Sequence, residues 1–172
     1  SPGELRPFVK LREGDRLTME GSPRLQMVYF EGGRQETWQG TGLLEVGTGS
    51  SKTLYGNLQP EVRTLPAILV KQISKTPSPD GNVKTGMIRV RSIQPADKLE
   101  TIEKEYAEMR KTVDSADYTP ELFLLASYFE LREFEKLETL LGQLSEKSPG
   151  STELSTLGVL YFKAINEARK TG

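Results

Sequence analysis

Cysteine and histidine are both missing from the 172 residues. Without cysteine there are no disulfides, no thiol nucleophile and no thiolate metal site. Without histidine, serine triads, cysteine–histidine pairs and nearly all zinc or copper sites lose their usual residue. No run of about 18 apolar residues occurs, so no transmembrane segment is expected. What is left for chemistry is carboxylate pairs, lysine or a hard cation such as calcium. Glu103 with Glu105, and Glu133 with Glu135, are acidic pairs adjacent only in sequence, since residues two apart on a helix do not face each other. The sequence therefore points to a protein that is not an enzyme, with no catalytic residue, no metal ligand and no cofactor.

Charge is near balance, at −1 overall, but unevenly placed. Residues 1–95 carry 13 Lys/Arg and 9 Asp/Glu, a net +4, and residues 96–172 carry 10 and 15, a net −5. Neither part has the strongly basic balance of a nucleic-acid-binding domain. Hydrophobic content of 35% with 27% charged residues suits a soluble globular chain. The Ser-Pro-Gly start leaves room for an upstream signal peptide, anchor or tag and does not by itself prove secretion.

The stretch Leu11–Val46 is a series of short β-type runs separated by turn residues: Gly14-Asp15, Gly21-Ser22-Pro23, Gly32-Gly33, and Gly40 with Gly42. Leu25, Met27 and Tyr29 alternate with Arg24, Gln26 and Val28. The run ends at a glycine pair and is followed by Arg34–Trp38, the pattern of a hairpin. Short strands are also expected at Phe8–Leu11, Arg16–Met19, Gly42–Val46 and Met87–Arg91, the last within Lys84–Ser92. Arg89 and Arg91 would share a face there, read as solvated surface or an anion site. Ala67–Val70, after Pro66, fits a buried strand or a short helix equally well. Lys75–Asn82 reads as a polar Pro/Gly loop.

Gly47–Thr53 mimics a phosphate-binding loop, since it follows a strand and ends in Lys52-Thr53. That loop requires glycine directly before the lysine so that backbone amides can surround the phosphates. Ser51 stands there instead and the glycine spacing fails, so the segment is read as a turn and no nucleotide is expected to bind.

From Pro95 onward the period changes from 2 to 3.6. Ile102, Tyr106, Met109 and Val113 mark a first helix from about Asp97 to Val113. Thr119-Pro120-Glu121 reads as a helix start with Thr119 as N-cap, and this second helix runs to about Leu131. A third spans about Phe134–Glu146, and a fourth, capped by Ser151, reaches about Arg169. The expected fold class is α+β with segregated parts: a mainly antiparallel β domain over 1–95, a small sandwich or roll, then antiparallel helical hairpins over 96–172.

The wording Gly14-Asp15-x-Leu17, then Arg24–Gly33 and Leu43–Val46, resembles the FecR-like domain of bacterial envelope proteins. Gly14, Asp15, Leu17, Leu25, Val28, Gly32 or Gly33, Leu43 and Val46 stand at that family's turns and apolar positions. Glu31-Gly32-Gly33 replaces its usual Asp-Gly turn. The resemblance implies a periplasmic or otherwise extracytoplasmic β domain in sensing or scaffolding, over about residues 8–92, and brings no catalytic residue.

Leu124–Phe129 is echoed by Leu157–Phe162 at a spacing of 33. With Phe134, Pro149 and Gly158, this is similar to a tetratricopeptide repeat over about 118–170. It departs from the family at Leu125, Leu137 and Glu121. The resemblance implies Leu124, Tyr128, Leu157 and Tyr161 between helices. It implies a protein-binding concave side bearing Leu122, Ala126, Phe129, Glu130, Val159, Phe162 and Lys163, with Phe129 and Phe162 exposed side by side. A pair this short serves equally as a cap on the β part. The leading expectation is a scaffold or sensor whose partner is another envelope protein. A second, of a different class, is a glycan- or cell-wall-binding β module with a helical cap, in which Trp38, Tyr29 or Tyr55 stacks on sugar rings.

Overall fold

The structure is a computed structural model, and it describes residues 5–21, 23–79 and 95–171, with the side chains of 95–97 left aside. The strand expected at Met87–Arg91, and with it the arginine face, lies outside the described residues. Contacts divide the chain into two compact units: Ser1–Leu5 with Lys10–Ser74, and Arg6–Val9 with Lys75–Gly172. The sequence pattern alone predicts the boundary near Pro95, where helical periodicity begins.

The described residues of the first unit form six strands and one short helix. β1 (Arg16–Met19), β4 (Gly42–Val46) and β5 (Ser51–Tyr55) form one antiparallel sheet. β2 (Arg24–Val28), β3 (Arg34–Gln39) and β6 (Glu61–Thr64) form the other. The alternation seen in the sequence sets the register of the β2–β3 hairpin: Leu25 lies opposite Trp38 and Met27 opposite Glu36. Because side chains alternate faces along a strand, one face of each sheet carries the apolar set. Leu17 and Met19 from β1, Met27 from β2, Trp38 from β3, and Leu44 and Val46 from β4 meet Leu58 in a shared buried core. Leu11, Leu25 and Tyr29 pack against its edge.

The hairpin turn depends on backbone only glycine adopts at low cost. Gly32 and Gly33 both have positive φ, at 88° and 73°. A Cβ on Gly33 would sit 2.6 Å from the Leu65 carbonyl oxygen, while the Leu65 amide donates to the Gly33 carbonyl at 2.8 Å. This close approach brings the chain after β6 back to the hairpin. Ala67–Val70 resolves as helix: α1 spans Ala67–Ile73 and buries Leu69, Val70 and Ile73. Its start after Pro66 suits a residue with fixed φ and no amide to satisfy.

Two local expectations fail. Phe8–Leu11 is not a strand: among the described residues no ladder partner takes it up, and Phe8 itself sits at φ 65°. Ser51–Thr53, read as part of a turn, opens strand β5, and Lys52 pairs with Glu45 on β4 at 3.2 Å. With both lysine and threonine in a sheet, no phosphate-binding loop is formed.

The second unit contains α2 (Pro95–Thr112), α3 (Thr119–Glu130), α4 (Phe134–Lys147) and α5 (Thr152–Lys170). Each helix packs on the next in sequence, as short connections require. The cap of α5 is the expected one, with Ser151 Oγ accepting from the Leu154 amide at 3.3 Å. The cap of α3 is not. Asp117 Oδ1, rather than Thr119, takes the free donors, accepting from the Thr119 amide at 2.9 Å and its hydroxyl at 2.6 Å. Among the described residues no strand follows Thr64 and no helix is long and apolar enough to cross a membrane.

Candidate functional site

α3 is apolar nearly all round, and Phe123 to Tyr128 are all buried. A helix of this kind has to be covered on several sides, and its neighbours supply both rings and charges. On the α2 side, Glu121 is buried and its carboxylate accepts from the Tyr106 hydroxyl at 2.7 Å and from Arg110. Arg110 also donates to the carbonyls of Asp117 and Asp114, holding the turn between α2 and α3. A buried carboxylate is costly unless it is paired and hydrogen-bonded, and both conditions are met. The ion pair between Glu121 and Arg110 joins α3 to α2.

One turn before Tyr106 in α2, Glu103 accepts from the Tyr128 hydroxyl at 2.7 Å and from Lys136 of α4 at 3.4 Å. Burial, then the Glu121 carboxylate, pushes the Tyr106 hydroxyl up to about 12. Tyr128 is raised by burial and by Glu103. Glu103, read from the sequence as solvated surface, and Glu121, read as the acid of a helix start, thus both serve as acceptors that order tyrosines. Among the described residues no group of three or more acidic side chains is placed to hold a metal.

At the other end of α3 the rings converge. Phe129 lies 5.7 Å from Phe134 and 6.1 Å from Tyr161, ring centre to ring centre and tilted. Arg132 and Arg169 lie over the Phe134 ring at 5.1 and 5.6 Å, a favourable use of guanidinium planes. Leu124, Tyr128, Leu157 and Tyr161 are all buried, as the sequence led us to expect.

The seven residues expected on a concave side divide into two groups. Ala126 is buried, and Leu122 and Phe129 are half-buried, so the expected exposure of Phe129 is not found; Phe134 and Tyr161 enclose its ring. Glu130, at the surface, is paired with Lys75 at 3.1 Å. Val159 and Phe162 are exposed, at 55% and 68%, and Lys163 is exposed beside them. Spaced by three and four along α5, these last residues share one helix face. The opposite face buries Leu154, Leu157, Tyr161 and Ile165.

Sequence reading missed the segment Lys75–Pro79. Its composition says loop, yet Thr76 and Ser78 are buried within the helical unit. No signal in the local sequence reveals that.

The three aromatics considered for sugar stacking do not form a platform. Trp38 is 2% exposed and belongs to the core. Tyr29 is half-buried, its hydroxyl 2.6 Å from Ser51 Oγ. Tyr55 alone is well exposed, at 75%. An open hollow of about 370 Å³ in the first unit is lined by Phe30, Gly33, Leu65 and Val70, among others, and holds no convergent set of polar side chains.

No protein-family model matches the chain, and neither a curated protein nor a solved structure matches it.

Proposed function

We propose that this protein is a non-enzymatic scaffold or sensor of the bacterial envelope, in which a FecR-like β domain carries a short tetratricopeptide-like helical unit that binds another envelope protein. The observation that carries the reading is the pair Val159 and Phe162 on the outer face of α5. Exposed apolar side chains grouped on one face mark interaction sites more often than chance. Lys163 beside them adds a charge that can orient a partner without supplying chemistry. The two three-stranded antiparallel sheets around one apolar core agree with a small extracytoplasmic β domain. The chain of α3, α4 and α5, each packed on the next, agrees with a helical repeat.

The test is co-purification from the producing cell after envelope fractionation, comparing the natural chain with a Val159→Ser, Phe162→Ser double variant. The proposal expects the protein in the envelope fraction with a partner that the double variant loses while retaining its helical circular dichroism. A chain found only in the cytosol would contradict the address. A partner retained by the folded double variant would contradict the surface.

A further inference from the structure

The two sheets of the first unit leave four edge strands, β1 and β5 in one and β2 and β6 in the other. An edge strand turns backbone N–H and C=O groups toward solvent and is a template for another strand. β6 is exposed at all four of its residues. Its register decides which backbone groups face outward. The Leu65 amide donates to the Gly33 carbonyl, and the ladder continues with Thr64 opposite Arg34, Arg63 opposite Gln35, Val62 opposite Glu36 and Glu61 opposite Thr37. Bonded and non-bonded pairs alternate along an antiparallel ladder, so Glu61 and Arg63 turn their backbone groups to β3. Val62 and Thr64 turn theirs to the free edge, where no backbone group of the described residues takes them up. Val62 also lies on the face of Glu36 and Trp38, the face that carries the core, yet it is 42% exposed.

We propose that β6 pairs with β6 of a second copy of this chain, antiparallel and centred on Val62, so that two three-stranded sheets become one of six strands. With Val62 opposite the partner's Val62, the outward amide and carbonyl of each close a bonded pair, and the two side chains cover one another. Glu61 then stands opposite the partner's Arg63, and Arg63 opposite the partner's Glu61. These are the non-bonded positions, where facing side chains come closest. Opposite charges therefore meet twice. Charge on an edge strand opposes pairing with most other strands, but the order Glu-Val-Arg matches its own reverse. No other edge does this: centred in the same way, β2 would set Leu25 against Met27 and β5 would set Lys52 against Leu54, while β1 holds no acid. Pro60 and Pro66 lack an amide and end the ladder on both sides, which makes the contact short and the dimer weak and reversible.

Sedimentation velocity of the full chain between about 10 μM and about 1 mM tests the pairing, the upper end being suited to a small contact. The natural chain is expected to pass from monomer to dimer over this range. Glu61→Arg and Arg63→Glu each set like charges at both cross-strand pairs, and each should weaken the dimer about tenfold. Mixed in equal amounts, the two variants regain opposite charges at both pairs and should form a mixed dimer about as readily as the natural chain pairs with itself. Val159→Ser with Phe162→Ser should leave the dimer unchanged, which separates it from association through α5. All four positions are exposed, and unchanged circular dichroism verifies that each chain is folded. A natural chain monomeric throughout, a dimer that either charge reversal leaves intact, a mixture that stays monomeric, or a dimer lost with the α5 variant would overturn the proposal. None of these outcomes bears on the partner of the Val159–Phe162 surface, which is tested by its own co-purification.

Discussion

The backbone amide of Ser51 donates to Glu36 Oε2 at 3.1 Å, a bond that ties β5 of one sheet to β3 of the other. The residue that disqualifies Gly47–Thr53 as a phosphate loop is thus a structural anchor. Glu36 is fully buried, and its other partners are the Arg34 guanidinium at 2.7 Å and the Trp38 indole N–H at 3.1 Å. The Tyr29 hydroxyl lies 2.6 Å from Ser51 Oγ and accepts from the Gly47 amide at 3.3 Å, extending the tie. A polar network inside an apolar sandwich is favourable only when its members are satisfied, and each oxygen of Glu36 is.

Acid should reveal this network. Burial alone would raise the Glu36 carboxyl, but bonds from Arg34, Ser51 and Trp38 together outweigh it and hold the group below its ordinary value of 4.5. A depressed folded pKa gives stability that is present above the unfolded value and lost as pH falls through the folded one. Glu36→Gln is expected to lose about 1–3 kcal/mol at neutral pH. Its urea midpoint should then change less than that of the natural chain between pH 5 and 3. An identical acid profile in both would show that Glu36 is not the group concerned.

Alkali should act on the helical unit with the opposite sign. Tyr106, Tyr128 and Tyr161 are all raised above the ordinary 10, by burial first and, for the first two, by neighbouring glutamates. The unfolded chain ionises before the folded one, so their contribution is complete below about pH 10 and declines above it. Tyrosinate absorbance is expected to rise in two steps, the second coinciding with loss of helical circular dichroism. A single step near pH 10 with the helices intact would contradict the burial of these hydroxyls.

The glycine turn supplies a steric test. Gly33→Ala sets a Cβ against the Leu65 carbonyl in a backbone conformation that side chains rarely adopt, and a cost of about 1–3 kcal/mol follows. Gly32→Ala has the same sign of φ but open space, so its loss in thermal unfolding should be the smaller of the two.

The helix boundaries and the β2–β3 hairpin were legible because each rests on local periodicity that burial then enforces. Four features were not, for four reasons. β5 and β6 carry Ser-Lys-Thr-Leu-Tyr and Glu-Val-Arg-Thr, edge strands with little buried face and so no alternation to detect. Phe8–Leu11 has strand-like residues but no partner strand among the described residues, and a strand without a ladder is not formed. The α3 cap passed to Asp117 because its carboxylate reaches both the amide and the hydroxyl of Thr119. The docking of Lys75–Pro79 depends on Glu130, far away in the chain. On the candidate site, the register of Leu124, Tyr128, Leu157 and Tyr161 could be read from the repeat, whereas the enclosure of Phe129 by Phe134 and Tyr161 depends on how the following helix returns.

That enclosure separates two phenylalanines that the repeat pattern treats alike. Phe129→Ala is expected to cost about 2–4 kcal/mol, somewhat below a fully buried ring, with a lowered midpoint in thermal unfolding. Phe162→Ala should stay within about 0.5 kcal/mol of the natural chain. Equal losses in both would place Phe162 in a core and remove it from any binding surface.

Photocross-linking from residue 162 asks whether the exposed face of α5 meets another protein. With p-benzoylphenylalanine in place of Phe162, irradiation in the producing cell is expected to yield one discrete heavier species. It should contain this chain and one other envelope protein, and adding Val159→Asp should deplete it. The same label at the exposed Tyr55 should give no such species. Cross-linking from residue 55 to cell-wall glycan, with none from residue 162 to any protein, would contradict the α5 surface and assign binding to the β unit.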